Sequence, residues 1–152
     1  MEKEYNSAFF GLYENTFLVY SQKHGQVEAL RFLQSLFEYG LKKAYDSMGF
    51  TQGSSADFVR VVGTRDNGVG LKIAFPEVSD ELIVYQFHTD PFPNLKGKVD
   101  AQALDDTYIN FKVQYLLGPD WRYMTTCHLW KGNPYTEHRI FKKNRVLDAK
   151  RS

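Results

Sequence analysis

The sequence predicts an α+β domain in which N-terminal helices pack on a largely antiparallel sheet made of two hairpins separated by a helix. Three observations carry this. Apolar residues recur at steps of three and four through two long stretches before Gly49, the repeat of a helix with one buried face. Apolar and polar residues alternate in two later blocks, 71–87 and 121–142, the repeat of a half-buried strand. Each block is broken once by turn residues, so its strands are joined as hairpins and pair antiparallel.

The first helix is expected from about Glu4 to Lys23, with Phe10, Tyr13, Phe17 and Tyr20 on one face. Gly25 breaks it. A second helix, about Gln26 to Met48, carries the stripe Leu30, Leu33, Phe37, Leu41, Ala44 and Met48. Gly49 suits its stop, since glycine takes the left-handed conformation that ends helices. Gly40 inside it costs about 1 kcal/mol relative to Ala, which a close helix contact would explain. The segment from Thr51 to Val62 reads two ways. Ser54 or Ser55 can cap a short third helix bearing Phe58, Val61 and Val62, while the β-branched residues equally suit a strand. Helix is the preferred reading, with the run from Arg65 to Gly70 as the turn after it.

Leu71, Ile73 and Phe75 then alternate along a strand, and Ser79–Asp80 turns the chain. The next strand puts Leu82, Val84 and Gln86 on one face and Ile83, Tyr85 and Phe87 on the other. It runs into the segment Phe87–Gly97, where two close prolines forbid helix and central pairing, so an ordered loop is expected. Asp100 caps a helix from about Ala101 to Leu117, striped with Leu104, Tyr108, Phe111 and Tyr115 and ended by Gly118–Pro119. In the last hairpin Trp121, Tyr123, Thr125, Cys127 and Leu129 share one face, and Arg122, Met124, Thr126, His128 and Trp130 the other. Lys131–Pro134 forms the turn and Tyr135 to Lys142 returns. Pro134 cannot close a tight two-residue turn, so the register stays open. The strands Leu82–His88 and Trp121–Leu129 are expected in one sheet covered by the second helix, whose Leu33, Phe37 and Leu41 should be mostly buried.

The totals bound the function. A chain of 152 residues suits one domain, with residues 143–152 expected as a flexible basic tail. Nineteen basic against 18 acidic residues argue against a nucleic-acid binder, which needs a basic surface. The cluster Lys142, Lys143, Arg145, Lys150 and Arg151 reads as solvated. One cysteine excludes an internal disulfide framework, and with no secretory leader or apolar span in view, no membrane association and a cytoplasmic location are expected. Aromatic residues make up 16% of the chain, which points to an aromatic-rich core, an aromatic-lined cavity, or both. Nothing identifies a cofactor, and no tight metal-ligand spacing, phosphate loop or serine-hydrolase elbow occurs.

Three stretches can carry chemistry. His88 and Asp90 lie at a strand end, where the imidazole can titrate near neutrality and Asp90 can orient it; an Asx turn before Pro91 is the structural alternative. Cys127 and His128 are adjacent on a strand and point to opposite faces, so a nucleophilic Cys127 would need a base from elsewhere, such as His138 or His88. Glu137 and Arg139 share one face of the last strand, with His138 on the other. An apolar cavity is expected between sheet and helices, with His88 or Asp90 at one end and the last hairpin as a wall. Its expected lining is Phe87, Phe92, Tyr108, Phe111, Tyr123 and Trp130. Cys127 is expected to face inward, because the Thr125–Cys127–Leu129 face carries no charge.

The C-terminal half, from the helix through Leu117-Gly118, Trp121–Trp130, Lys131-Gly132-Asn133-Pro134 and Thr136-Glu137-His138-Arg139-Ile140, resembles the end of the L-2-amino-thiazoline-4-carboxylic acid hydrolase-like family. It is also similar to the related small-molecule-binding domain of the four-vinyl-reductase type, and His24–Leu30 resembles the start of that family's second helix. The resemblance implies a helical N-terminal half, a ligand pocket and, for an active member, ring-opening hydrolysis of a thiazoline. Members often carry cysteines after the turn glycine, where Tyr135 and Thr136 stand here. The leading expectation is a domain that binds a small apolar or aromatic molecule. The alternatives are a small hydrolase acting on a C–N or C–S bond through Cys127, His88, Asp90 and His138, and an interaction protein that pairs with a second copy of itself.

Overall fold

The computed structural model describes residues 3–50 and 52–143. Asn6 caps the first helix, α1 (Ser7–His24), by accepting a hydrogen bond from the Phe9 amide at 3.0 Å. α2 (Gln26–Ser47) follows after Gly25. The ambiguous segment is helical: α3 (Ser55–Gly68) starts in a capping box in which Ser54 and Asp57 satisfy each other's backbone amides. α3 also absorbs most of the expected turn, because Arg65, Asp66 and Asn67 are still helical. The chain turns at Val69–Gly70. Gly70 has φ 84°, and a Cβ there would lie 2.2–2.4 Å from the backbone of Glu4 and Tyr5, so the N-terminal segment docks onto it. The Asn6 amide donates to the Val69 carbonyl alongside.

Two hairpins and a helix complete the fold: β1 (Ile73–Val78), β2 (Leu82–Phe87), α4 (Ala101–Leu117), β3 (Trp121–Cys127) and β4 (Thr136–Lys142). They make one antiparallel sheet in the order β1-β2-β4-β3, so the last strand inserts at the centre and joins the two hairpins. Pro76 sits in the bulged, solvent-side edge strand β1, where its missing N–H leaves no partner unsatisfied. All six residues of β2 are buried. Ile83, Tyr85 and Phe87 enter the main core, while Leu82 and Val84 meet Phe141 on the outer face.

The helices lie on the inner face in two layers. α3 packs on β1 and α4 on β3, while α2 packs on α4 and α1. The expected cover of the sheet is thereby corrected: α2 forms the second layer, and α4 lies between it and the sheet. This explains why α4 is buried on several sides at once, with Leu104, Tyr108, Ile109, Val113 and Leu116 all inside. Leu33 and Phe37 of α2 are buried, but Leu41 is only half-buried. The basic tail falls at 144–152, outside the described residues, apart from Lys142 and the exposed Lys143. Among the described residues no helix is long and apolar enough to cross a membrane.

Candidate functional site

The site begins with two charged residues on apolar stripes. Asp66 follows Phe58 and Val62 at steps of four on α3, and Lys112 follows Leu104 and Tyr108 at the same steps on α4. Both therefore point into the core, where they are 4% and 3% exposed. They meet at 2.9 Å. Tyr85, from the inner face of β2 and fully buried, completes the group: its hydroxyl donates to Asp66 and accepts from Lys112 at 3.1 Å. The ammonium also stands 5.5 Å from the ring centroids of both Tyr85 and Tyr108. Burial pulls the Lys112 amine below the ordinary lysine range, and Asp66 opposes that shift. Burial and the Asp66 charge push the Tyr85 hydroxyl well above the usual phenol range, so it stays protonated.

Asp66 and Lys112 floor a cavity of about 240 Å³ between the four helices, with the Tyr85 hydroxyl bonded to both of them. Phe10, Phe37, Phe92 and Tyr108 form its deep walls, and Phe9, Tyr13, Leu41, Val69 and Arg65 are the half-buried residues on its open side. Phe37 is the hub, 4.6 Å from the Tyr13 ring, 5.3 Å from Tyr108 and 5.8 Å from Phe92. Phe92 reaches the cavity because the 90–95 loop is pinned on three sides. The Tyr5 hydroxyl donates to the Pro91 carbonyl at 2.8 Å. Buried Glu14 accepts from the amide and side chain of Asn94 at 2.8 and 3.0 Å. Asp90 accepts from the Phe92 amide at 2.9 Å and from the Trp130 indole at 2.7 Å.

Behind Phe92 and Tyr108 lies a second polar group with no room for a ligand. The Trp130 amide donates to His128 Nδ1 at 3.0 Å, which assigns the ring proton to Nε2, 3.1 Å from Asp105. The Tyr108 hydroxyl also donates to Asp105. Burial raises the Asp105 carboxyl, a shift that the His128 hydrogen bond opposes, and burial raises Asp90 likewise. The crevice they share with Phe87 and Trp130 measures only about 10 Å³.

The expected pocket is thus displaced. Of its predicted walls, Phe92 and Tyr108 line the cavity. Phe87 and Trp130 belong to the closed crevice. Phe111 stacks on Tyr115 with centroids 5.0 Å apart, and Tyr123 donates to Asp106 and lies edge-on to His138. Cys127 does not face inward. β3 carries a bulge between Thr125 and Cys127, and Cys127 pairs with Glu137 on the outer face. The extra residue resets the alternation, so His128 turns inward instead. His88 is exposed on that outer side, its Nε2 3.3 Å from Gln86, which in turn donates to Glu137 at 2.8 Å. His138 is fully buried on the inner face and bonds Thr125 through Nδ1 at 2.9 Å. Among the described residues no hydrogen bond joins any two of Cys127, His88, Asp90 and His138, so the structure does not assemble them into a catalytic set. No family model, curated protein or solved structure matches this chain.

Proposed function

We propose that this chain is a small-molecule-binding domain whose ligand occupies the cavity between α1, α2, α3 and α4. The observation that carries the reading is a cavity of about 240 Å³ walled by six aromatic rings and floored by a buried lysine–aspartate pair. Ligand pockets combine apolar walls with a few convergent polar groups in this way, and burying an ion pair seldom repays its desolvation in stability alone. The C-terminal resemblance to small-molecule-binding domains supports the same class. Gly40 supports it from the opposite side. It lines the cavity, and an added Cβ would meet only the Tyr13 hydroxyl, at an ordinary 3.6 Å. The helix therefore accommodates a larger residue there, and the glycine keeps the cavity open.

The test is an amide-shift NMR titration with indole as a neutral aromatic probe. Saturable shifts at Gly40, Val69 and Phe92 are expected, and Gly40→Leu, which extends a side chain into the cavity, should abolish them. Indole shifts that are absent, or that fall elsewhere and survive in Gly40→Leu, would remove the reading.

A further inference from the structure

We propose that the natural occupant of the cavity is a small monocarboxylate with an apolar body, its carboxylate held between Arg65 and Lys112 and its body packed among Phe10, Phe37, Phe92 and Tyr108. This rests on the pocket reading above and adds the chemical class of the ligand.

The argument starts from charge. Three charged side chains line the cavity, Arg65, Asp66 and Lys112. Lys112 and Asp66 form an ion pair and cancel. Arg65 is left over, half-buried, its guanidinium lying over the Phe9 ring at 5.2 Å from the centroid with no carboxylate or carbonyl bonded to it among the described residues. A guanidinium has five N–H donors in a fork that matches a carboxylate. Lys112 has three, of which Asp66 and Tyr85 take two, leaving one for the cavity. Arg65 and Lys112 line the same cavity, and the Arg65 charge acts on the Lys112 amine, so both sets of free donors serve one space. Among the described residues no carboxylate besides Asp66 lines the cavity: Glu14 turns to Asn94, Asp90 to Phe92 and Trp130, and Asp105 to His128, all outside the lining.

One surplus positive charge selects a singly charged anion. A dianionic phosphate would bring one negative charge more than the lining balances, in a site walled by rings. A cation would meet Arg65 and Lys112 head-on, and a neutral ligand would leave the guanidinium desolvated and unpaired. Size sets the rest. The cavity is smaller than the ~300–1,000 Å³ of pockets for drug-sized ligands, so the body is a single ring or a short alkyl chain.

The experiment titrates the full chain with 3-phenylpropionate and with hexanoate, which separate an aromatic from an aliphatic source of the same carboxylate. 3-Phenylpropanamide and 3-phenylpropylamine serve as neutral and cationic counterparts. Calorimetry gives affinity and amide shifts give location. At least one acid should bind with shifts around Arg65 and Lys112, roughly tenfold or more tighter than the amide, and the amine should not bind. Lys112 variants risk unfolding because they strand Asp66, so the decisive variant is Arg65→Gln. It should weaken the acid about tenfold and leave the amide unchanged. An amide or amine that binds as well as the acid, or an Arg65→Gln protein with unaltered acid affinity, overturns the inference. If indole fills the cavity while neither acid does, the inference falls and the pocket reading stands. Silence from every probe removes both.

Discussion

His138 and Lys112 are both ionisable and both buried, yet the fold treats them in opposite ways. Lys112 has a carboxylate and a hydroxyl beside it. His138 has only Thr125 on Nδ1, and its Nε2 has no partner among the described residues. Burial, with the Lys112 charge adding, pushes the His138 pKa down from 6.5 to about 3, so the ring is neutral at physiological pH. The sign of the resulting pH dependence follows. Between those two values the unfolded chain binds a proton that the folded chain does not, so stability is full above about pH 6.5 and falls as the pH drops toward 3. Thermal midpoints of the wild type and His138→Asn should therefore converge on acidification through that window. A difference that stays constant with pH would show that another group governs the acid limb. For Lys112 the prediction concerns pairing. Lys112→Met leaves Asp66 buried and uncompensated and should cost roughly 3–5 kcal/mol in denaturant unfolding. Lys112→Met combined with Asp66→Asn should recover part of that loss, because the amide still accepts from Tyr85. A double variant no more stable than the single one would mean that the ion pair is not the source of the cost.

Among the elements, α2 and α3 show local chemistry and tertiary demand pulling apart. The Ser54–Asp57 capping box starts α3 as its residues favour, and Ser54→Ala should cost about 1 kcal/mol. Its other end defies its residues: Asp66-Asn67-Gly68 reads as a turn, yet stays helical while Asp66 bonds Lys112 and Tyr85. In α2, Gly40→Ala should raise stability by roughly 0.5–1 kcal/mol, because it removes backbone entropy and the new methyl has space. The same methyl narrows the cavity, so the more stable variant should bind indole less tightly. A gain in thermal midpoint with unchanged binding would separate the glycine from the site.

At the scale of the whole molecule, the cavity exists because two layers of helices are stacked on one face of the sheet. Phe37 joins the layers, touching α1 through Tyr13, the 90–95 loop through Phe92 and α4 through Tyr108. Phe37→Ala should cost roughly 3–5 kcal/mol, and a loss below about 1 kcal/mol would show that this junction does not hold the layers together. Leu41→Ala, at a half-buried position on the open side, should cost clearly less.

The sequence by itself determined the α+β class, the two hairpins, the starts of α2 and α4 and, of the expected stripe of α2, the buried Leu33 and Phe37, because these depend on periodicity and caps that act within a few residues. Phe92 and Tyr108, expected to line a pocket walled by the last hairpin, line a cavity among the helices instead. Lys112 and Asp66 were readable as charges on apolar stripes, a signal hidden in Asp66 by the turn-like residues around it. Tertiary structure alone decided the rest. The bulge at Thr125–Cys127 reversed which of Cys127 and His128 faces the core, since one extra residue flips every side chain beyond it. The central place of β4 fixed His138 inside. The stacking of α2 on α4 rather than on the sheet moved the cavity from the last hairpin to the space among the helices, because α4 already fills the inner face there.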